Sequence, residues 1–211
     1  MDNRVTDYLR WYYDTGVWTL ATYMDIACRK FVSDLWNYQE ILWKLQPSVV
    51  FEAGVFEGGT TLFFSHALSR VGHRYRVLGV DISLSNVKTL PRRDPNIELM
   101  ACSSVDPRVA DRLKSLRAEY PGPMFVILDS DHHKDHVYAE LMMLRDILCT
   151  GDYLIVEDTI IGNPILPNFG PGPLEALNEY IKSYPNDYWN DEARENRFGI
   201  TAAPSGYLIR R

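Results

Sequence analysis

Only three cysteines, Cys28, Cys102 and Cys149, occur in the 211 residues. Their number is odd and their spacing fits no zinc-ligand pattern, which argues against a disulfide framework and against a structural zinc site. The reading that follows is reduced thiols in a cytoplasmic protein. No apolar run approaches the length of a membrane span, and the opening MDNRVTDYLR lacks the basic-then-apolar pattern of a signal peptide. Basic residues are the minority, 22 Lys and Arg against 28 Asp and Glu, for a net charge of −6. That balance argues against a nucleic-acid or membrane partner. Neither internal repeats nor low-complexity tracts occur, and the length suits one domain with a substantial core.

What is present divides the chain in two. The first 46 residues carry four of the five tryptophans, Trp11, Trp18, Trp36 and Trp43. In SDLWNYQEILWKL, Ser33 is a candidate N-cap, and Leu35, Trp36, Leu42 and Trp43 recur at helical spacing. These aromatics read first as packing residues of accessory helices, and second as a lid or subunit interface, which makes a homo-oligomer the expected assembly. Residues 47–211 then alternate short apolar runs with amphipathic segments. The runs SVVFEAG, RVLGVDI, NIELMAC, MFVILDS and GDYLIVEDT are expected strands, and helices are expected to begin near Glu57, Ser85, Pro107, Lys134 and Pro173. Nearly continuous apolar strands alternating with helices indicate a doubly wound α/β fold, a mostly parallel sheet covered on both faces. RFGIT and SGYLIRR read as a closing strand–turn–strand.

In such sheets ligands bind at the carboxyl ends of the strands. Glu52, Asp81, Ser103, Asp129, Asp131, Glu157 and Asp158 all fall at those ends. The turn FEAGVFEGGTT offers Glu52, Gly54, Gly58, Gly59 and Thr60, but it lacks G-x-G-x-x-G, so a dinucleotide fits poorly. An acidic residue ahead of the glycines suits a cationic amino group instead. Asp81, ending the second strand, can accept ribose hydroxyls. Together these point to a nucleoside cofactor with an ammonium and a sulfonium, S-adenosylmethionine. Its adenine would lie beside Ser103 and Ser104, which compete with Asp106 as caps for the helix after Pro107.

The second chemical cluster is ILDSDHHKDH. Asp129 and Asp131 end the fourth strand, and Glu157-Asp158 end the fifth. Four carboxylates crowded on adjacent strands would raise one another's pKa unless a divalent cation joined them, and oxygen ligands select Mg²⁺, Ca²⁺ or Mn²⁺. His132 and His136, four apart, could share a helix face as zinc ligands do, but no H-E-x-x-H accompanies them. A histidine beside a metal-bound hydroxyl reads better as a general base.

The segments DLWNYQEIL, FEAGVFEGGTTLFF, VLGVDIS, ILDSDHHKDHVYAEL, GDYLIVEDT, FGPGPLEAL and GYLIRR resemble the cephalosporin hydroxylase/rhamnosyl O-methyltransferase family, from about Trp18 onward. The resemblance implies a seven-stranded Rossmann-like sheet of the class I methyltransferase type. It implies S-adenosylmethionine and Mg²⁺ as cofactors, and a hydroxyl of a sugar or other natural product as acceptor. DHHKD is also similar to the metal-and-lysine segment of catechol O-methyltransferase, which makes Asp131 a ligand and Lys134 the base. Macrolide sugar O-methyltransferases imply another register, with Asp129 as ligand and His132 as base. The expected assignment places Mg²⁺ on Asp131, Glu157 and Asp158, with Asp129 on the cofactor side and His132 or Lys134 taking the proton. Two positions depart from the family pattern: Cys102, beside the expected adenine, and Asp25, after the N-terminal tryptophan, each stand where glycine is usual. The rival expectations are an iron-dependent hydroxylase and a non-catalytic subunit that keeps the cofactor fold.

Overall fold

The computed structural model describes residues 3–161 and 169–211. Helix α1 (Asn3–Asp14), a 3-10 turn at Val17–Thr19 and the small hairpin β1 (Thr22–Tyr23) and β2 (Ile26–Ala27) lead into α2 (Val32–Leu45). The alternating part follows: β3 (Val49–Ala53), α3 (Gly59–Leu68), β4 (Arg76–Asp81), α4 (Thr89–Arg93) and β5 (Ile97–Ala101). It continues with α5 (Pro107–Glu119), β6 (Met124–Leu128), α6 (Lys134–Arg145), β7 (Tyr153–Val156) and α7 (Pro173–Ser183). The last elements are β8 (Tyr188–Asn190), α8 (Glu192–Glu195) and β9 (Tyr207–Arg210).

Seven strands form one sheet in the order β5-β4-β3-β6-β7-β9-β8. Strands β3 to β7 run parallel, and β9 runs antiparallel to both of its neighbours. The expected strand at RFGIT does not form; β9 pairs instead with Tyr188–Asn190. Order reverses between β3 and β6, where the connections leave in opposite directions and open a crevice. The parallel ladder fixes what stands at its rim. Ala53 pairs with Leu128, and Leu128 with Val156, so Gly54, Asp129 and Glu157 emerge side by side.

The buried strands are apolar on both faces because helices cover both. Leu113, Leu116, Leu141, Leu144 and Leu177 of α5, α6 and α7 fill one side. Tyr38, Ile41, Leu42, Phe64 and Leu68 of α2 and α3 fill the other. Each such side chain contributes about 1.5–3 kcal/mol by leaving water. Helix α5 is capped as its sequence suggests: the Asp106 side chain accepts from Arg108 N–H at 2.9 Å and Pro107 opens the helix. Ser103 and Ser104 are thereby released from capping.

Helix α2 departs from the expected packing. Trp36 and Trp43 are 59% and 54% exposed, while Asp34, Asn37, Tyr38, Ile41 and Leu42 are buried. The buried face is thus polar as well as apolar. Asp34 accepts from the Ala202 N–H at 2.8 Å and the Tyr207 hydroxyl at 2.7 Å, and Asn37 donates to the Arg194 carbonyl at 3.1 Å. These bonds weld α2 to the end of the sheet. The helix begins at Val32, one residue before the expected cap Ser33. Among the described residues, no helix is long and apolar enough to cross a membrane.

Candidate active site

The crevice is a cavity of about 1060 Å³ above the ends of β3, β4, β6 and β7, roofed by residues of the N-terminal segment. Its volume exceeds the upper range of small-ligand pockets, about 1,000 Å³. It has room for two ligands.

One half carries the nucleoside-type groups. Asp81 lines the cavity; its Oδ2 accepts the N–H groups of Val55 and Phe56 at 3.0 and 2.9 Å, and its Oδ1 accepts that of Ser83 at 3.0 Å. A carboxylate has about four acceptor sites, so one direction stays available for a ligand hydroxyl. Gly54, Thr60, Cys102, Ser103 and Ser104 also line this half. Gly54 has φ +91, and a Cβ there would fall 1.9 Å from the Asp129 carbonyl oxygen, so only glycine allows the β3 and β6 loops to touch. Gly58 and Gly59 were expected to admit a ligand, but neither lines the cavity. The chain itself fills that approach: a Cβ on Gly59 would lie 2.5 Å from the Ala27 carbonyl oxygen. Glu52 likewise lies off the cavity, fully buried and accepting the Thr61 hydroxyl, and burial pushes its carboxyl up to about 8. Ser104 Oγ lies 2.8 Å from His136 Nε2, whose neighbour Glu140 is buried and bonded to the Ser130 hydroxyl at 2.7 Å.

The other half gathers charge. Ligand-type atoms of Asp129, His132 and Asp158 lie within 4.8 Å of one another. His132 Nε2 stands 3.1 Å from Asp158 Oδ2. Burial pulls the imidazole down, but Asp158 and Asp129 outweigh it and carry its pKa up to about 9. The buried Lys30 ammonium bonds to Asp129 and lies 3.6 Å from Glu157 Oε1. Burial lowers the Lys30 pKa, and the two carboxylates more than restore it, so the side chain is cationic. Glu157 also accepts the Tyr38 hydroxyl at 2.5 Å. Burial raises the carboxyls of both Glu157 and Asp129, while Lys30 acts to lower them.

The expected metal set is therefore only partly brought together. Asp158 is in the cluster, and Glu157 stands behind it on Lys30 and Tyr38. Asp131 lines the cavity but stands outside the cluster: its side chain is 51% exposed and accepts the backbone and ring N–H of His133, at 2.9 and 2.5 Å. Lys134 is separated too. It begins α6, pairs with Glu179 of α7 at 2.5 Å and does not line the cavity. Glu179 holds that ammonium above the usual lysine range, unsuited to accepting a proton at neutral pH.

Sequence reasoning missed Lys30, Tyr38, Arg29 and the cavity-facing placement of His136. Lys30 and Asp129 are 99 positions apart, and no local spacing joins them. The prolines and glycines of the loop 160–173 suit either a wall over the acceptor or a rigid connection to the next helix; its residues 162–168 lie outside the described residues, while Ile161 and Phe169 line the cavity. The two departures from the family pattern also find places. Cys102 lines the nucleoside half, and Asp25 takes φ 63 in the tight β1–β2 turn, a left-handed conformation that asparagine, aspartate and glycine favour.

A sheet of this strand order, opening at its switch point onto a carboxylate-walled cavity, places the protein among the class I methyltransferases in fold. The chain belongs to the rhamnosyl O-methyltransferase/CmcI family, which it matches over residues 15–211. The Rhamnosyl O-methyltransferase of Mycobacterium tuberculosis (strain H37Rv) is 50% identical over 205 residues, covering 97% of this chain and 84% of that protein. That of Mycobacterium leprae (strain TN) is 46% identical over 211 residues, covering 100% and 92%. A solved structure of cmcI with Mg and SAM has a TM-score of 0.72 at 22% identity, covering 92% of this chain and 77% of that one.

Proposed function

We propose that the protein is an O-methyltransferase that uses S-adenosylmethionine and Mg²⁺ to methylate a sugar hydroxyl, a rhamnosyl unit being the first acceptor to test. The observation that carries this is one cavity holding both Asp81, beside the glycine turn, and the Asp129–His132–Asp158 cluster. The donor set suits the ion: Mg²⁺ takes one or two carboxylates and keeps several waters, and the imidazole is the poorer ligand for it. Asp129 and Asp158 would hold Mg²⁺, with Glu157 the adjoining carboxylate of the same charge cluster. The proposal thus moves the first aspartate ligand from Asp131 to Asp129. When bound, the cofactor supplies an electrophilic methyl group and the ion supplies Lewis acidity toward the acceptor hydroxyl.

The chain's own residues do the rest. Asp81, Ser103 and Gly54 orient the nucleoside. With Asp129 and Asp158 engaged, His132 loses the negative charge that keeps it protonated, and its imidazole takes the acceptor proton. Tyr13, Trp18, Phe31 and Phe169 wall the same cavity and give a sugar apolar surfaces to rest on. Fixing the two reactants in one geometry is itself a large part of the acceleration. The iron-hydroxylase reading needs two histidines and a carboxylate, and the cluster holds one histidine among the described residues. A cytoplasmic homo-oligomer remains part of the proposal, resting on the reduced cysteines and the aromatic N-terminal segment.

Incubation with labelled S-adenosylmethionine, Mg²⁺ and rhamnosides is expected to give a methylated sugar, and excess EDTA to abolish the product. Calorimetry finding no affinity for S-adenosylhomocysteine would sink the proposal. In the same assay Lys134→Ala is expected to keep the wild-type kcat, because Lys134 faces Glu179. A loss comparable to that of His132→Ala would return Lys134 to the role of base.

A further inference from the structure

Among the described residues, four side chains that can carry positive charge stand on the cavity wall: Arg29, Lys30, His132 and His136. Three are matched from within. Lys30 has Asp129 and Glu157, His132 has Asp158 at 3.1 Å, and His136 has Ser104 at 2.8 Å with Glu140 at 3.5 Å. Arg29 differs. Its guanidinium carbon lies 3.9 Å from the centre of the Phe56 ring and 5.6 Å from that of Trp18. Among the described residues it makes no hydrogen bond or ion pair. The nearby acid Glu57 is engaged by Lys88 at 3.1 Å and by the Ala27 N–H at 3.4 Å.

A guanidinium laid on an aromatic face keeps the N–H donors at its rim free, in a fork that matches a carboxylate. Its base is pinned as well. Thr60 donates to the Cys28 carbonyl at 3.2 Å, and the Ala27 carbonyl abuts Gly59. Arg29 and Phe56 adopt φ 50 and 51, a region non-glycine residues rarely occupy, and the two side chains meet on one wall. The arginine is thus held in place while its donors lack an acceptor.

We propose that Arg29 anchors the carboxylate of the methionine portion of S-adenosylmethionine, an inference that rests on the cofactor reading above. Asp14, Asp81, Asp129, Asp131 and Asp158 make the rest of the wall acidic, favourable to hydroxyls, ammonium and sulfonium and repulsive to a carboxylate. A sulfonium has three arms. With the ribose at Asp81 and the methyl directed to the Asp129–His132–Asp158 cluster, the third arm is left the wall of Cys28, Arg29, Phe56 and Thr60. That wall carries the cation that, among the described residues, has no hydrogen-bonded acceptor; Glu57 feels its charge but is engaged by Lys88.

The test compares S-adenosylhomocysteine with 5′-methylthioadenosine, which shares the nucleoside thioether and lacks the amino acid. Calorimetry would be run on wild type, Arg29→Met and Arg29→Lys. Loss of a charge-assisted bond predicts that Arg29→Met weakens S-adenosylhomocysteine by about tenfold or more. Binding of 5′-methylthioadenosine is expected to stay at its wild-type value, which also reports an intact fold, and Arg29→Lys to fall between. Unchanged S-adenosylhomocysteine affinity in Arg29→Met, or equal weakening of both ligands, overturns the assignment of Arg29. So does a change confined to the acceptor KM, which would make Arg29 an acceptor contact. A wild-type protein that binds neither nucleoside overturns the cofactor reading itself.

Discussion

Replacing His132 with alanine is expected to lower kcat by about 10²- to 10⁴-fold, the span that a positioned general base contributes. Binding of S-adenosylhomocysteine is expected to remain intact. His132 lies in the cluster with Asp129 and Asp158 and projects from the β6–α6 connection just before α6. Its ring stands between Asp158, at 3.1 Å, and the aromatic wall, with its centre 6.5 Å from that of Phe169. On the proposed reading, a proton acceptor there would serve an acceptor hydroxyl bound beside Asp129 and Asp158. Base and ligand roles separate in a metal titration. If His132 is the base, the Mg²⁺ concentration for half-maximal residual rate stays near wild type. A large rise in that concentration, with the maximal rate recovered at high Mg²⁺, would make His132 a ligand and leave the base unassigned.

The largest effect on stability is expected at Lys30. Its ammonium is buried, bonded to Asp129 and 3.6 Å from Glu157. Lys30→Met leaves the buried Glu157 and the part-buried Asp129 without their counterion. Breaking a fully buried pair from one side costs about 3–5 kcal/mol, which is the upper bound here because Asp129 faces the cavity. Urea denaturation in EDTA should show that loss. Mg²⁺ should narrow the gap, because the ion binds the folded state and neutralises the same acids. A double variant, Lys30→Met with Glu157→Gln, should recover part of the loss by removing one stranded charge. Equal stability of Lys30→Met and wild type in EDTA would show that the carboxylates are not held by this lysine.

Much of the architecture was legible because parallel strands buried on both faces leave unbroken apolar runs. VVFEA, RVLGVD, IELMA, MFVIL and YLIV each became a strand, with ends within three residues of expectation. The carboxylates gathered at strand ends follow from the same alternation. The missed pieces share a cause. Strand β8 is three residues at the sheet edge, too short for a periodic signature, so RFGIT was mistaken for β9's partner. Helix α2 was read by hydrophobicity alone. That put Trp36 and Trp43 inward, whereas Asp34, Asn37 and Tyr38 earn burial through hydrogen bonds to residues more than a hundred positions away. Within DHHKDH the residue types were visible but their directions were not. Asp131 and Lys134 turned out to face His133 and Glu179.

The polar face of α2 bears on how this protein can be recombined with its relatives. A seam between residues 46 and 47 looks natural in the sequence, yet Tyr38 reaches Glu157, Asp34 reaches Ala202, and Lys30 reaches Asp129 across it. Grafting a relative's first 46 residues onto this sheet would therefore transplant part of the cavity's charge balance, not a detachable cover. Chimeras that respect these three pairings should outperform those that cut at the apparent boundary.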